Sequence, residues 1–466
     1  MSTLAFAVRR REAELVGPAA PTPRDTKRLS DLDDQAILRR HERLMFFYRG
    51  RSGSRATNAD PAAAVRRALS EALVPYYPLA GRLREVEEGR KLAVDCTGEG
   101  VMFVEADADV RLAELEAATG GLRPPFPCVD QLLFDVEGSG GVLGCPLLLV
   151  QVTRLLCGGF VVALRLNHTM CDAHGVAQFV SAVAELARGL AAPAVAPVWS
   201  REVLEARSLP EPAGVLQPHR RDHDVVPVVP QPPPPPPGDG DMVVRTFTFG
   251  PRDVAAIKKR LPPRLRDTAT SYEALTAAIW RARTAALELA PGEEVSLVVV
   301  ANCRGVRGLG IPDGYYGNAV AYPVARATAG ALGLGNAVEL VREAKAAVTA
   351  EYVRSAVDLL ARRRGCPPAL ATMANVFAVS DNRHAGFHRV DLGWGVPVFG
   401  GVVTTVFGAS FLVPVSGSDG KEAVAVPIVL PRPAMDRFAS EIEMTLTLTC
   451  HAAVGSAAPP PPRGRL

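Results

Sequence analysis

The sequence predicts an α/β protein that is divided into two domains. The chain has 466 residues, which is more than one ordinary hydrophobic core covers and suggests two domains. In both halves, short apolar segments typical of strands are interspersed with segments whose apolar residues recur at helical spacing. A proline-rich stretch separates the halves. We therefore predict an N-terminal domain over residues 1–206, a linker over 207–241, a C-terminal domain over 242–451 and a disordered tail over 452–466.

The first half contains strands and amphipathic helices in mixed order. Val65, Leu69 and Leu73 lie on one stripe of a helix predicted over residues 61–73. A second helix is predicted over residues 176–187, because its apolar residues recur at helical spacing up to a basic residue and a glycine stop. Strands are predicted at residues 44–48, 92–94, 101–104, 145–152 and 159–166.

The second half restarts after the linker with the same mixture. Thr270-Ser271-Tyr272-Glu273 has the spacing of a capping box, so a helix is predicted to begin there. A long helix is predicted over residues 337–353. Further helices are predicted over 251–260 and 435–446, and strands at 243–249, 295–301, 375–379, 397–399, 409–415 and 423–429.

Composition indicates a globular protein and argues against several partners. Hydrophobic residues make up 48% of the chain and charged residues 22%, with a net charge of +3. A charge this small gives no electrostatic reason to expect binding to nucleic acid or to an anionic membrane. The eight cysteines form no CxxC pair, so we expect free thiols in a reducing compartment.

The sequence predicts a cytoplasmic location. No apolar run approaches the length of a transmembrane helix, and the first residues lack the apolar core of a signal peptide. The last three residues, Gly464-Arg465-Leu466, resemble a peroxisomal address and keep that location open. Six consecutive prolines at 232–237 favour an extended spacer, with a ligand for a partner module as the alternative.

Three acidic residues occur together near the N-terminus, at Asp31, Asp33 and Asp34. A cation site is one interpretation of this cluster. The segment lacks the glycine and the distal glutamate of a calcium-binding loop. We therefore predict a solvated turn or a helix start.

The segment around His168 is the candidate reaction site. His168 follows a predicted buried strand and precedes a predicted helix, a position from which a side chain can be held in a cleft. A hydrogen-bonded core histidine beside a turn-forming Asp172 is the ordinary structural explanation. A zinc site formed by His168, Asp172 and His174 is a second interpretation, since these ligand types suit zinc. A general base is the third, because a neutral imidazole can accept a proton from an alcohol or amine.

Other kinds of chemistry find less support. No GxSxG elbow occurs, since residues 408–412 lack the closing glycine. Cys171 has apolar neighbours, which predicts a packed thiol. The glycine-rich segments 138–144 and 308–314 have the wrong spacing for a dinucleotide fingerprint. With a thioester as acyl donor, a positioned base and an oxyanion donor suffice without an enzyme nucleophile.

Two motifs in a fixed order resemble those of a known family. His168-Thr169-Met170-Cys171-Asp172 and Asp391-Leu392-Gly393-Trp394-Gly395 look like the HxxxD and DFGWG motifs of the BAHD acyl-CoA-dependent acyltransferases of plants. Segments 77–82, 302–304 and 314–318 also match the family, and the similarity runs from about residue 5 to 446. Leu392 departs from the usual Phe. Segments 29–35, 95–101 and 124–128 look closest to the benzyl alcohol O-benzoyltransferase-like members.

The resemblance implies two chloramphenicol-acetyltransferase-like domains, each with a mixed sheet and flanking helices, and an active-site channel between them. It implies acyl-CoA as co-substrate, a small alcohol as acceptor, no bound cofactor and no metal, and we expect a monomer. A non-catalytic binding protein on this fold would be expected to lack His168. The implied and predicted site residues are His168 as general base, Asp172 as support paired with Arg304, Asp391 with Gly393 and Gly395 as a second, structural motif, and Thr270, Ser271, Phe46 and Trp394 on substrate or CoA surfaces.

Overall fold

The computed structural model describes residues 4–50, 60–87, 91–126, 128–133, 135–207, 242–362, 364, 374–417 and 421–447. Apart from residue 207, the predicted linker lies outside these ranges, as do the predicted tail and its Gly464-Arg465-Leu466 end. Two large sheets and one small sheet form the framework of the described residues.

In the first half, strands and helices follow one another in mixed order, as expected. The strands are β1 (Val8–Arg10), β2 (Glu14–Val16), β3 (Thr26–Arg28), β4 (His41–Tyr48), β5 (Arg82–Val86), β6 (Lys91–Asp95), β7 (Val101–Ala108), β8 (Leu148–Leu155) and β9 (Phe160–Asn167). The helices are α1 (Pro61–Ala72), α2 (Leu112–Ala118), α3 (Val129–Leu132) and α4 (Ala173–Ala187).

The second half contains the following elements. The strands are β10 (Met242–Phe249), β11 (Glu294–Asn302), β12 (Val320–Ala321), β13 (Val324–Thr328), β14 (Val376–Asp381), β15 (Phe399–Val402), β16 (Ala409–Ser416) and β17 (Glu422–Pro431). The helices are α5 (Pro251–Lys259), α6 (Pro263–Arg266), α7 (Ser271–Ala286), α8 (Leu334–Ala346), α9 (Ala350–Arg362) and α10 (Arg432–Thr447). Among the helices of the described ranges, none has both the length and the apolar character needed to cross a bilayer.

The prediction of one continuous helix over residues 337–353 was wrong. Two helices, α8 and α9, occupy this region, and the break falls at residues 347–349. The hydroxyl of Thr349 accepts a hydrogen bond from the N–H of Tyr352 at 3.2 Å. Such a bond caps the first turn of a new helix, so a second helix begins after the break although the apolar spacing predicted one continuous helix.

The first sheet has the order β1-β7-β8-β9-β4-β15, with β2 also paired to β7. Strands β7 and β8 run parallel, whereas β8, β9 and β4 are mutually antiparallel. Helices α1 and α4 contribute to the core on one face, and α2 and α3 to the core on the other. Because both faces are covered, β9 is buried along its whole length, and residues 160–164 form a continuous apolar run.

The second sheet has the order β10-β17-β16-β14-β11-β12, with β13 also paired to β11. Strand β14 is parallel to both of its neighbours, and the remaining pairs are antiparallel. Helices α5, α7, α8 and α10 form its main core. Two mixed sheets with flanking helices confirm the predicted α/β class. The small third sheet has the order β3-β6-β5.

Strand β15 belongs to the second half of the chain but lies in the first sheet. It pairs antiparallel with β4, with Gly400 opposite Phe46. A Cβ atom at Gly400 would lie 2.8 Å from the Phe46 ring and 2.8 Å from the Phe387 carbonyl oxygen, so only glycine fits this close approach. The second half therefore supplies the edge strand of the first sheet, which is separated from β9 by β4 alone.

A histidine at the start of β4 gives the stability of the fold a pH dependence. Burial, followed by the charge of Arg165, lowers the pKa of His41 from 6.5 to about 4. The unfolded chain protonates this histidine near its ordinary pKa, so the neutral folded form stabilises the protein above pH 6.5, and that contribution is lost as the pH falls towards 4.

We predict that His41→Gln reduces the decline of the unfolding free energy between pH 6.5 and pH 4. Urea unfolding of both proteins at the two ends of the window measures it, and an equal decline in both would contradict the prediction.

Candidate active site

A cavity opens between the two halves of the chain at the end of β9. Its lining is mostly apolar around a small set of polar groups, which is typical of sites for small molecules. The lining residues of the first half are Arg40, Glu42, Leu44, Leu166, His168, Cys171, Asp172, Ala173, His174 and Val176. Those of the second half are Val300, Asn302, Val320, Tyr322, Ser380, Asp381, Asn382, Phe387, Val402 and Phe411.

His168 directly follows the last residue of β9. Its N–H donates to the carbonyl of Arg40 at 2.8 Å, which extends the ladder between β9 and β4 by one bond. Its carbonyl accepts from the Asn318 amide at 2.9 Å. The Nδ1 atom of the imidazole is buried and has no hydrogen-bond partner within the described residues. The backbone is therefore fixed on both sides, and the residue lines the cavity.

Asp172 is the N-cap of α4 and joins the two halves of the chain. Its carboxylate accepts from the N–H of Gly175 and from the N–H of Ala319, each at 2.9 Å. The two terminal nitrogens of Arg304 donate to it at 2.7 and 3.0 Å. Burial acts to raise the pKa of Asp172, but the charge of Arg304 and these hydrogen bonds outweigh it, so the pKa lies below its ordinary value. The carboxylate is ionised and its acceptor sites are occupied.

The zinc interpretation requires Asp172 to have a free oxygen. Both of its oxygens are used by Arg304 and by backbone N–H groups. His174 lies in the first turn of α4, where its Nε2 is 3.4 Å from the side-chain nitrogen of Asn302. In the described part of the chain, no group of three or more His, Cys, Asp or Glu residues is arranged to hold a metal ion. The geometry favours a structural role for Asp172 over metal ligation.

Cys171 lies between the two motif residues but is a poor nucleophile. Its side chain is buried in the core of the first half. Burial raises the pKa of its thiol to about 12. Because the thiolate is the reactive species, the thiol is inert near neutral pH.

The prediction of a solvated turn for Asp31, Asp33 and Asp34 was wrong. All three carboxylates are buried. Asp31 pairs with Lys91 at 2.8 Å, and Asp34 pairs with Arg39 at 2.8 Å. Each acid meets a cation, which is distant in sequence for Asp31 and five residues away for Asp34, so it is buried as a paired group.

Asp33 is the most heavily hydrogen-bonded of the three acids. Arg201 donates to its two oxygens at 2.8 and 2.9 Å, and both side chains are almost fully buried. The backbone and side-chain amides of Asn318 donate to it at 2.9 Å. The N–H and hydroxyl of Ser30 donate at 3.0 and 2.6 Å. One carboxylate thus holds three segments that are far apart in the sequence.

The partners of Asp33 in turn hold the loop that carries His168. Besides its bond to the His168 carbonyl, Asn318 donates to the carbonyl of Thr169 at 3.3 Å. Arg201 donates to the carbonyl of Met170 at 2.8 Å. Asp33, Arg201 and Asn318 were not among the site residues predicted from the sequence. Two of them carried a signal, since Asp33 lies in the matching segment 29–35 and Asn318 ends the matching segment 314–318.

The second motif lies at the opposite end of β9 from His168. Trp394 makes an edge contact with Phe160, the first residue of β9, with ring centroids 5.2 Å apart. Eight residues of strand separate this end from His168, roughly 20 Å or more. Asp391 accepts from the N–H groups of Gly393 and Gly395 at 2.8 and 2.9 Å. Both glycines have a positive φ, 101° and 93°, which explains their residue type.

The predicted substrate-contacting residues do not meet at the cavity. Phe46 is fully buried behind Phe387, and Leu44, two residues earlier on the same face of β4, lines the cavity in its place. Thr270 caps α7, accepting from the N–H of Glu273 at 3.1 Å, and the Glu273 carboxylate accepts from the Thr270 N–H at 3.0 Å. The capping box predicted from the sequence is therefore present. Ser271, the first residue of α7, lies beside it and away from His168.

We predict that Asp172→Asn destabilises the protein by about 3 kcal/mol, because it leaves Arg304 in a mostly buried position without its counter-ion. Denaturant unfolding measures the change. Glu14→Gln is the matched control, since the Glu14–Arg66 pair is largely exposed and contributes at most about 1 kcal/mol. A loss for Asp172→Asn no larger than that of the control would contradict the prediction.

Comparison with known proteins identifies the family. Residues 6–445 match the model of the Transferase family. The benzyl alcohol O-benzoyltransferase of Petunia hybrida is 49% identical, covering 96% of this chain and 95% of the relative. Its counterpart from Nicotiana tabacum is 47% identical, covering 95% and 94%. A (Z)-3-hexen-1-ol acetyltransferase of Arabidopsis thaliana is 46% identical, covering 96% of each protein.

Solved structures share the fold at lower sequence identity. Vinorine synthase aligns with a TM-score of 0.70 at 21% identity, covering 94% of this chain and 98% of that one. F. graminearum TRI101, complexed with coenzyme A and deoxynivalenol, aligns with a TM-score of 0.70 at 16% identity, covering 90% and 98%. The chain therefore belongs to the Transferase family, the BAHD acyltransferases, and is an acyltransferase that uses acyl-CoA as its co-substrate.

Proposed function

We propose that this enzyme transfers an aromatic acyl group, with benzoyl-CoA as the favoured donor, to a small alcohol such as benzyl alcohol. The observation that carries the proposal is the largely apolar cavity around His168. Tyr322, Phe387 and Phe411 line it and offer ring faces and edges to an aromatic substrate. The identity to two benzyl alcohol O-benzoyltransferases supports the same substrate pair.

His168 acts as the general base in this reaction. It takes the proton of the acceptor hydroxyl while the hydroxyl oxygen forms a bond to the thioester carbonyl carbon. The tetrahedral oxyanion then collapses, the carbon–sulfur bond breaks, and the imidazolium returns the proton to the departing CoA thiolate. The ester forms in an ordered reaction within a ternary complex, and no covalent enzyme intermediate is required.

Uncharged donors in the same cavity are available to the oxyanion. At the end of β14 the Ser380 hydroxyl donates to the side-chain oxygen of Asn382 at 3.1 Å, so the Asn382 amide is the side-chain donor that this pair offers to the oxyanion. Asn302 lines the cavity from the end of β11. Preorganised hydrogen-bond donors of this kind stabilise developing negative charge without reorganisation during the reaction.

A different donor or acceptor is the alternative within the same chemistry. The relative from Arabidopsis thaliana is named an acetyltransferase of (Z)-3-hexen-1-ol, which favours acetyl-CoA and an aliphatic alcohol as the second candidate pair. Anthraniloyl or hydroxycinnamoyl donors and amine acceptors are further members of the set to test. A difference of one methyl group in a pocket changes the free-energy discrimination between two substrates by only about 1–3 kcal/mol. A substrate panel is therefore required to identify the donor and the acceptor. We expect the enzyme to act as a monomer.

We predict that His168→Ala lowers kcat by about 10²–10⁴-fold, because the reaction loses its general base. Initial rates with benzoyl-CoA and benzyl alcohol, within a panel of CoA thioesters and alcohols, measure the loss. His388→Ala, which removes an exposed histidine, is the matched control. Unchanged rates for His168→Ala would refute the general-base assignment, and inhibition of the wild type by a chelator would revive the zinc interpretation.

We predict that Asn318→Ala lowers kcat by at least about tenfold and leaves the KM for acyl-CoA nearly unchanged, because the loop carrying His168 loses its amide support. Asp60→Ala is the control for lost stability. It removes the N-cap of α1 and a pair with Arg154 near the other end of β9 from His168. Equal losses of kcat in the two variants, at matched melting temperatures, would contradict a positioning role for Asn318.

A further inference from the structure

One ion pair lines the cavity immediately beside the proposed base. Arg40 lies opposite His168 in the extended ladder, since its carbonyl accepts from the His168 N–H at 2.8 Å. Glu42 comes two residues later and faces the same cavity. A terminal nitrogen of Arg40 lies 2.5 Å from a carboxylate oxygen of Glu42. The two charges therefore cancel at the wall next to the imidazole.

The other acids of the cavity wall are also neutralised. Asp172 is paired with Arg304 at 2.7 Å, and Asp381 is paired with Arg383 at 2.6 Å. Among the described residues that line the cavity, Arg40 is the one arginine. The wall therefore presents polar groups and apolar surface but no uncompensated charge from an acid or an arginine.

We propose that the Arg40–Glu42 pair selects neutral acceptor alcohols and rejects acceptors that carry a carboxylate. The inference rests on the proposed function, in which His168 contacts the acceptor hydroxyl. A substrate carboxylate placed on this wall loses hydration and finds the one arginine of the lining already paired with Glu42. Specificity of this kind arises from an unfavourable interaction with the wrong substrate, here a desolvated carboxylate that has no cation to pair with.

The pair is suited to selection more than to stability. The Glu42 side chain is 16% exposed, whereas that of Arg40 is 44% exposed at the mouth of the cavity. The exposure of the Arg40 end limits what the pair contributes to the stability of the fold. Glu42→Gln keeps the side-chain size and Arg40→Gln shortens an exposed side chain, so we expect both variants to fold, and melting temperatures check this directly.

The test compares acceptors that differ only in charge. With benzoyl-CoA as donor, kcat/KM is measured for benzyl alcohol, for para-(hydroxymethyl)benzoate and for the para-(trimethylammonio)methyl analogue. We expect Glu42→Gln to raise the ratio for the carboxylate over benzyl alcohol by about tenfold. Arg40→Gln should raise the ratio for the cationic analogue by a similar factor. The double variant Arg40→Gln/Glu42→Gln should restore both ratios to those of the wild type.

Several outcomes would overturn the proposal. These are an unchanged carboxylate ratio in Glu42→Gln, or a gain that persists in the double variant. A gain in Glu42→Gln for succinyl-CoA over butyryl-CoA, without one for the carboxylated alcohol, would assign the pair to the acyl-donor side. If the wild type does not benzoylate benzyl alcohol, the proposed substrate pair fails. The charge test then proceeds with hexanol and ω-hydroxyhexanoate and the donor that the enzyme does use.

Discussion

A buried carboxylate needs a cation or hydrogen-bond donors to compensate for its lost hydration. Asp33 places this requirement on the residues that surround it. Its oxygens accept from Arg201, from Asn318 and from Ser30, which come from three separate parts of the chain. Leaving any of these charges or amides unpaired in the interior is costly. The three segments are therefore fixed relative to one another, and the loop that carries His168 is fixed with them.

The same requirement applies to Asp172, which lies four residues after His168. Its carboxylate starts α4 and at the same time binds Arg304 of the second half. Arg304 also donates to the carbonyls of Tyr315 and Gly317, so the segment that supplies Asn318 is held from both sides. Polar groups behind the cavity thus define its geometry, while the cavity itself is left largely apolar.

The second motif and the residue before it contact the first half of the chain through hydrogen bonds. The hydroxyl of Tyr48 donates to the carbonyl of Val390 at 2.8 Å, and Arg188 at the end of α4 donates to the carbonyl of Asp391. These bonds hold the segment before β15 against the first sheet. Strand β15 then completes that sheet beside β4, and its Val402 reaches the cavity. Two motifs far apart in the sequence act at the two ends of the same strand.

The sequence by itself determined the α/β class, the buried strand before His168, the capping box at Thr270 and, through the two motifs, the family. These features depend on local periodicity, local hydrogen bonding or a residue pattern, all of which the chain carries without reference to its fold. Only the tertiary structure decided the rest. The pairing of β15 with β4 and the burial of Asp33 depend on partners hundreds of residues away. An acidic residue in isolation has the pattern of a solvated turn, and it becomes an interior residue only when the fold supplies the cation and the amides that satisfy its charge.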